Sequence, residues 1–267
     1  MAWLALTLQV ERSAAEAFSD ALLEAGAQSV SLEISGSVTA ILSLEEDSNA
    51  LIADAARAAG IAPPAYSVET LDDQDWVRAS QAQFAPVAIG ERLWIGPGWH
   101  QPPSDRIAVR IDPGLAFGTG SHPSTQLVLG FLEKSIGGGE RLLDYGCGSG
   151  ILAIAAAKLG AAHVDAVDLD PEAVETTRAN ALANGVEVNS ALPDALPATS
   201  YDIVVSNILA QPLIVLAPLL ASRGARIALS GILEAQAEEV ARAYERWFEM
   251  RIADRDDGWV LVLGVKK

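Results

Sequence analysis

Three glycines at alternate positions, Gly146, Gly148 and Gly150, form the most distinctive chemical pattern in the sequence. Asp144 stands just before them at the end of a short apolar run that predicts a buried strand, and an apolar helix follows. Glycine suits a tight turn whose backbone approaches a ligand closely, and the helix N-terminus offers unpaired N–H groups. Asp168 ends the next predicted strand, where a carboxylate reaches the ribose hydroxyls of an adenosine ligand. The pattern predicts the nucleotide-binding corner of a doubly wound α/β sheet.

The spacing of the glycines indicates which nucleotide this corner binds. A dinucleotide fingerprint has its third glycine one place later, at the position of Ile151. Here the glycines are spaced G-x-G-x-G, and Asp144 stands two residues before the first of them. Together with Asp168, this D-x-G-x-G-x-G pattern resembles that of the S-adenosylmethionine (SAM) methyltransferases. SAM is therefore the expected cofactor. An NAD-dependent oxidoreductase is the alternative, and a cofactor-binding measurement would decide between them.

Asn207 is the candidate catalytic residue, because it follows a buried strand and so lies at the carboxyl edge of the sheet, where ligands of this fold bind. Methyl transfer from a sulfonium is an in-line displacement that depends on alignment and exclusion of water. An amide oxygen can accept a hydrogen bond from a substrate N–H and so aim the nitrogen lone pair at the methyl carbon. A lysine, with a pKa of about 10.4, must first lose its proton, and burial favours that loss. The plainer interpretation of Asn207 is a turn residue.

A glycine-rich segment from Asp112 to Thr125 precedes the central corner, and a helix is predicted from about Thr125 to Lys134. It is not a P-loop, because no lysine follows its last glycine. We expect it to cover the methionine end of the cofactor. The Ser124 and Thr125 hydroxyls would contact the ligand or cap the helix, and His122 would lie near the site. No Cys, His and carboxylate residues have metal-ligand spacing, so no metal is expected.

The order of predicted elements divides the chain into two domains and a linker. Residues 1–64 read as a ferredoxin-like β-α-β-β-α-β module, in which nine acids oppose two bases. Residues 65–85 form a linker with a short helix from Trp76 to Gln83. Residues 86–267 form the SAM-dependent methyltransferase domain, an α/β doubly wound, seven-stranded Rossmann-like sheet. The small domain contains neither His nor Cys, so we interpret it as a recognition module with an acidic surface, or else a purely structural appendage.

Charge and composition exclude several classes of function. The net charge is −17, which argues against direct binding of nucleic acid and favours a basic protein as partner. Cys147 is the single cysteine, so the chain has no internal disulfide, and no apolar run approaches the roughly 20 residues of a membrane span. The first residues lack the pattern of an export signal. We therefore expect a cytoplasmic enzyme with no membrane association. We also expect a monomer, because nothing in the sequence indicates a symmetric interface.

With these residues in place, the whole chain resembles the bacterial ribosomal protein L-eleven (L11) methyltransferases, the PrmA family. The resemblance implies methylation of lysine ε-amines and of the N-terminal α-amine of L11, with the small domain recognising the ribosomal protein and the linker helix reorienting the catalytic domain. It also implies cofactor contacts at Thr125, Gly146, Asp168 and Asn207. Ser124 stands where the family commonly has threonine. Four segments carry the resemblance: residues 112–125, 144–154, 168–171 and Asn207-Ile208-Leu209-Ala210.

Other functions compete with this one. Related protein-lysine methyltransferases, such as those acting on the electron-transfer flavoprotein β subunit, share the glycine-rich loop and the asparagine motif. The N-terminal β-α-β-β-α-β module favours the ribosomal substrate over these. A non-catalytic SAM-binding regulator would not need the intact Asn207 motif, and the negative charge disfavours a nucleic-acid methyltransferase.

Overall fold

A computed structural model describes residues 3–10, 12–32, 37–43, 47–71, 85–112 and 120–267. The short helix predicted from Trp76 to Gln83, and residues 113–119 of the glycine-rich segment, lie outside the described residues. The chain divides into two compact units, Met1–Gln83 and Phe84–Lys267. Within the described ranges, no helix is long and apolar enough to cross a membrane.

The first unit is an antiparallel sheet with two helices in the ferredoxin-like order. Its sheet order is β2-β3-β1-β4. Alternation along β1 places Leu6 and Leu8 in a core that Phe18 completes, and Asp47 caps the second helix by accepting from the N–H groups of residues 49 and 50. The elements are β1 (Trp3–Gln9), α1 (Arg12–Glu24), β2 (Ser29–Leu32), β3 (Ser37–Ser43), α2 (Ser48–Ala58) and β4 (Tyr66–Leu71).

The fourth strand lies on the other side of the domain boundary predicted at residue 64. In the structure β4 pairs with β1 along its whole length, so it belongs to the sheet of the first unit. The sequence pattern indicates the strand, but its partner depends on backbone hydrogen bonds with residues more than 50 positions away, which the local pattern does not contain.

The second unit begins with a small sheet that packs into the same core as the helices that follow it. Its strands are ordered β5-β6-β7, with the first pair antiparallel and the second parallel. Leu93, Ile95 and Val109 from this sheet are buried in a cluster shared with residues of the helices Pro123–Ser135 and Ile151–Leu159. The strands are β5 (Val87–Ile89), β6 (Leu93–Gly96) and β7 (Ile107–Arg110).

A seven-stranded sheet forms the centre of the second unit, as the sequence predicted. Its order is β10-β9-β8-β11-β12-β14-β13, parallel except for β14, which runs antiparallel to both of its neighbours. Its elements are α3 (Pro123–Ser135), β8 (Arg141–Tyr145), α4 (Ile151–Leu159), β9 (His163–Val167), α5 (Pro171–Ala183), β10 (Asn189–Ala191), β11 (Tyr201–Asn207), α6 (Ala210–Arg223), β12 (Gly224–Leu233), α7 (Ala237–Tyr244), β13 (Phe248–Asp256) and β14 (Trp259–Lys266).

Each face of this sheet has its own hydrophobic core, which is the mark of a doubly wound arrangement. Leu142 and Ile203 face a cluster that includes α3 and α4, whereas their sequence neighbours Leu143 and Val204 face a cluster that includes α6 and α7. Continuous apolar strands are required because both faces are covered. The chain leaves β8 towards β9 on one side, and β11 lies on the other, so the switch point of the sheet falls between β8 and β11.

Candidate active site

The turn after β8 has the backbone conformation that its glycines predict. Gly146, Gly148 and Gly150 have φ angles of 82°, 53° and 79°, a region that residues with a Cβ rarely adopt. The N–H groups of Gly146 and Cys147 both donate to the carbonyl of Val167, at 2.8 and 3.1 Å. This contact ties the glycine turn to the end of the adjacent strand β9, which carries the next functional residue.

Two side chains of helix α5 donate hydrogen bonds to backbone carbonyls of the glycine turn, a contact that the sequence analysis did not predict. The Thr177 hydroxyl is fully buried and lies 3.1 Å from the carbonyl oxygen of Gly148, to which it donates. The Asn180 side-chain amide donates to the carbonyl of Ser149 at 2.8 Å. The two side chains stand three residues apart on one face of α5, and this helical spacing is the only signal by which sequence alone would have found them.

Asp144 is the buried acid of the turn. Its Oδ2 accepts a hydrogen bond of 3.1 Å from the N–H of Ala153, so the carboxyl caps the first turn of α4. Its Oδ1 is buried without a hydrogen-bond partner among the residues that the structure describes. Burial raises the pKa of Asp144 to about 7, although the Ala153 hydrogen bond opposes the shift, and the negative charge of Asp168 adds to it.

Asp168 lies at the end of β9 with its carboxylate set by backbone donors. The N–H of Gly148 donates to Oδ2 at 2.9 Å, and the N–H of Asp170 donates to Oδ1 at 3.1 Å. The side chain is only half-buried, so its carboxylate oxygens have lone pairs left for hydroxyl donors. Burial raises the pKa of Tyr145, and the negative charges of Asp168 and Asp194 add to the shift.

Asn207 ends β11, the strand beside β8, and meets a residue from the start of α3. Its Nδ2 donates to the Oγ1 of Thr125 at 3.0 Å. Thr125 is buried, and α3 begins at Pro123. This bond uses one of the two amide N–H groups, and the Oδ1 of Asn207 can accept a hydrogen bond from a ligand.

Two neighbours of Thr125 have structural partners of their own. His122 is the N-cap of α3, and its Nδ1 lies 2.7 Å from the Ser124 hydroxyl, which is buried. The His122 ring also packs edge-on against Trp259, with ring centroids 4.7 Å apart. Of the two hydroxyls considered in the sequence, that of Ser124 contacts the capping residue His122, whereas that of Thr125 contacts Asn207.

Of the other titratable groups named from the sequence, His163 lies at the start of β9, whereas Cys147 lies in the glycine turn itself. His163 contacts buried Asp165 at 2.9 Å, and the Tyr201 hydroxyl donates to the same carboxylate at 2.6 Å. Cys147 is a buried thiol whose pKa burial raises to about 12. Among the described residues, no three His, Cys, Asp or Glu side chains come together as metal ligands would.

The predicted site residues are thus arranged around one edge of the sheet. Gly146 and Asp168 are joined through Val167 and Gly148, and Asn207 and Thr125 bond to each other. The arrangement fits SAM, because a glycine turn followed by a half-buried carboxylate at the end of the next strand suits an adenosine ligand.

Fold and site together define a SAM-dependent methyltransferase. Residues 32–267 match the family model described as "Ribosomal protein L11 methyltransferase (PrmA)". The chain therefore belongs to the ribosomal protein L11 methyltransferase family, and it is a protein methyltransferase that uses SAM as cofactor.

Individual relatives agree with the family model. Proteins named "Ribosomal protein L11 methyltransferase" are 48% identical in Thiobacillus denitrificans, over the whole of both chains, and 47% identical in Chromobacterium violaceum, over the whole of this chain and 99% of that one. Among solved structures, the ribosomal protein L11 methylase of Lactobacillus delbrueckii subsp. bulgaricus is 34% identical, with a TM-score of 0.63, and covers 69% of this chain and 100% of that chain.

Proposed function

We propose that this enzyme transfers methyl groups from SAM to lysine ε-amines and the N-terminal α-amine of ribosomal protein L11. The observation that carries the proposal is the Asn207–Thr125 hydrogen bond beside the glycine turn, because it orients an amide oxygen for an amine substrate. Support for the substrate comes from the full-length relatives that carry this name. Methylation of another protein, of the electron-transfer flavoprotein β-subunit type, is not favoured by these relatives.

Four residues would hold the cofactor in this proposal. Asp168 would accept hydrogen bonds from the ribose hydroxyls, and the backbone around Gly146 would approach the cofactor closely. Thr125 and Asn207 would contact it from the other side of the switch point. When bound, SAM supplies a methyl group that its sulfonium already activates. The remaining task of the protein is to align the acceptor and to exclude water.

Asn207 would act directly on the acceptor amine. Its Oδ1 accepts a hydrogen bond from the substrate N–H, which turns the nitrogen lone pair towards the methyl carbon. As the N–C bond forms and the C–S bond breaks, the nitrogen becomes cationic and releases its proton to water. The amine must arrive neutral, and desolvation beside the buried edge of the sheet favours the neutral form.

We propose that the first unit recognises L11. It has its own hydrophobic core, separate from the two cores of the second unit, so removal of Met1–Gln83 is expected to leave a folded methyltransferase unit. This truncated protein should bind SAM with the affinity of the full chain and lose methylation of L11. Full activity on L11 in the truncated protein would show that the first unit is not the recognition module.

The solution state and location of the enzyme are also proposals. We expect a monomer in sedimentation experiments. We expect a cytoplasmic location, since the one cysteine of the chain is a buried free thiol. The net charge of −17 suits a basic protein partner. A dimer at micromolar concentration would contradict the first expectation. Binding to nucleic acid in physiological salt would contradict the expected absence of direct nucleic-acid contacts.

Mass spectrometry of purified L11 after incubation with the enzyme and SAM tests the proposed function. Mass gains in steps of one methyl group, located on lysines and on the N-terminus, are the expected result. An unmodified L11 together with intact SAM binding would move the substrate to another protein. Absence of SAM binding in calorimetry would contradict the assignment of the site itself.

A further inference from the structure

Strand β12 changes its register directly beside the end of β11. Asn207 pairs with Ser230, and the next residue of β12 is Gly231, which lies within the register shift between Leu229 and Ile232 in the pairing with β14. Gly231 has a φ angle of 79°. An isolated glycine with positive φ at a bulge is a feature that bends a strand and redirects its neighbours. Because Ser230 pairs with Asn207, Gly231 lies beside the residue that follows Asn207.

That residue is Ile208, and its backbone lies where a side chain on Gly231 would have to be. A Cβ atom at position 231 would stand 2.3 Å from the carbonyl oxygen of Ile208, 2.8 Å from its carbonyl carbon and 3.0 Å from its nitrogen. Ordinary contact begins near 3.4 Å. All three neighbours are backbone atoms, so a rotamer change cannot relieve the clash, and the chain at Ile208 would have to move by about 1 Å.

The side chain of Ile208 lies against the glycine turn on its other side. A Cβ atom at Gly146 would stand 2.4 Å from the Cγ2 of Ile208. Ile208 therefore packs between two glycines, with its backbone against Gly231 and its side chain against Gly146. The residue that directly follows Asn207 is therefore in close contact with the chain on both sides.

We propose that Gly231 is a positioning residue for methyl transfer, which acts through the backbone of Ile208 to set where Asn207 presents its amide beside the glycine turn. This inference rests on the proposed role of Asn207 at the reacting centre. Gly231 itself contacts neither substrate nor cofactor in the proposal. A displacement of about 1 Å at the reacting centre of an enzyme costs on the order of 100-fold in rate.

The first test is the kinetics of Gly231→Ala in the full-length enzyme. We expect kcat for methylation of L11 to fall by about 100-fold, with a much smaller change in the Kd for SAM. Gly185→Ala is the matched control, because Gly185 also has a positive φ, 67°, yet a Cβ there would have nothing within 4 Å. Both variants introduce backbone strain at a positive φ, but only at Gly231 would the added Cβ clash with the backbone of Ile208.

Should Gly231→Ala fail to fold, a second pair of variants tests whether the packing of Ile208 positions Asn207, through the contact of its side chain with Gly146. Ile208→Ala removes the Cγ2 atom that faces Gly146, and we expect kcat to fall while SAM binding persists. Ile208→Val keeps that atom, so this conservative variant should recover most of the wild-type kcat. Equal kcat values for Ile208→Ala and Ile208→Val, at or near the wild-type value, would overturn the proposal.

A readout without catalysis separates this inference from the proposed function. The side-chain amide of Asn207 gives an NMR resonance pair that Asn207→Asp identifies by its loss. Gly231→Ala is expected to shift this pair and Gly185→Ala to leave it in place. If the wild-type enzyme does not methylate L11, the proposed function fails. The chemical shifts of the Asn207 side-chain amide still test whether Gly231 positions Asn207. An unmoved resonance, or a folded Gly231→Ala protein with wild-type kcat, would overturn the positioning role.

Discussion

The amide nitrogen of Asn207 lies 3.0 Å from the hydroxyl oxygen of Thr125, although 82 residues separate the two in the chain. One residue ends a central strand and the other lies in the first turn of α3. The contact lies on the β11 side of the switch point, at the edge where ligands of doubly wound sheets bind. It fixes the orientation of the Asn207 amide, whose Oδ1 takes no part in this bond, and that orientation underlies the first prediction.

Replacement of Asn207 by alanine is expected to remove the acceptor for the substrate N–H. A preorganised polar group at the reacting centre is worth about 100-fold to 1,000-fold in kcat, so Asn207→Ala should lose this much while its Tm stays close to that of the wild type. Steady-state methylation of L11 and thermal unfolding measure the two effects. A kcat within a few-fold of the wild-type value would remove Asn207 from the catalytic role.

The partner Thr125 is expected to act through the orientation of Asn207. Thr125→Val removes the hydroxyl that accepts from Asn207 Nδ2, whereas Thr125→Ser retains it. We expect a lower kcat for the valine variant and a value near the wild type for the serine variant, because a hydroxyl at this position suffices to fix the amide. A similar kcat for the two variants would indicate that the orientation is set elsewhere.

Asp168 is expected to determine the affinity for the cofactor. Hydrogen bonds to a charged group contribute about 1.5–3 kcal/mol, so Asp168→Ala should weaken SAM binding by about 10-fold to 100-fold, as measured by calorimetry. Exposed Asp105→Asn is the control for the loss of one acid, and its affinity should match the wild type. Unchanged affinity in Asp168→Ala would remove Asp168 from the ribose role.

Thr177 is expected to stabilise the glycine turn through its hydrogen bond to the carbonyl of Gly148. Thr177→Val has nearly the same shape but leaves the carbonyl of Gly148 without its hydroxyl donor, which costs about 1–3 kcal/mol in the free energy of unfolding. A weaker affinity for SAM should accompany this loss, because the turn is part of the proposed cofactor site. Thr177→Ser keeps the hydroxyl and is expected to retain the affinity. Equal SAM affinity in the valine variant and the wild type would contradict the prediction.

Asp144 is expected to make the stability of the protein depend on pH. Its folded-state pKa of about 7 lies above the usual carboxyl value of about 4, so the folded protein keeps a proton that the unfolded chain releases. The free energy of unfolding therefore falls as the pH rises from about 4 to about 7, by up to about 1.4 kcal/mol per pH unit from this group.

Asp144→Asn tests this dependence, since the amide cannot ionise. Its free energy of unfolding should increase relative to that of the wild type as the pH is raised through the same window, as followed by chemical denaturation at several pH values. Parallel curves for Asp144→Asn and the wild type would show that Asp144 is ionised at the same pH in the folded and unfolded protein.

Local patterns were sufficient to predict the fold. The seven-stranded sheet was expected because apolar strands such as β8 and β11 alternate with helices, and the structure confirms it. The glycine turn is also a local property, since positive φ angles follow from glycine and the turn involves consecutive residues. The predicted boundary at residue 64 left β4 outside the first domain, because the pairing of β4 with β1 is a long-range contact that local patterns do not contain.

The amino-acid sequence by itself determined which elements form, where the glycine turn lies and which acid ends the following strand, because each of these depends on the types and spacing of nearby residues. Only the tertiary structure decided that Asn207 bonds to Thr125, that Thr177 supports Gly148, and that Ile208 packs between Gly146 and Gly231. These contacts join segments distant in the chain. Their geometry depends on strand order, register and close packing, which no local pattern of residues specifies.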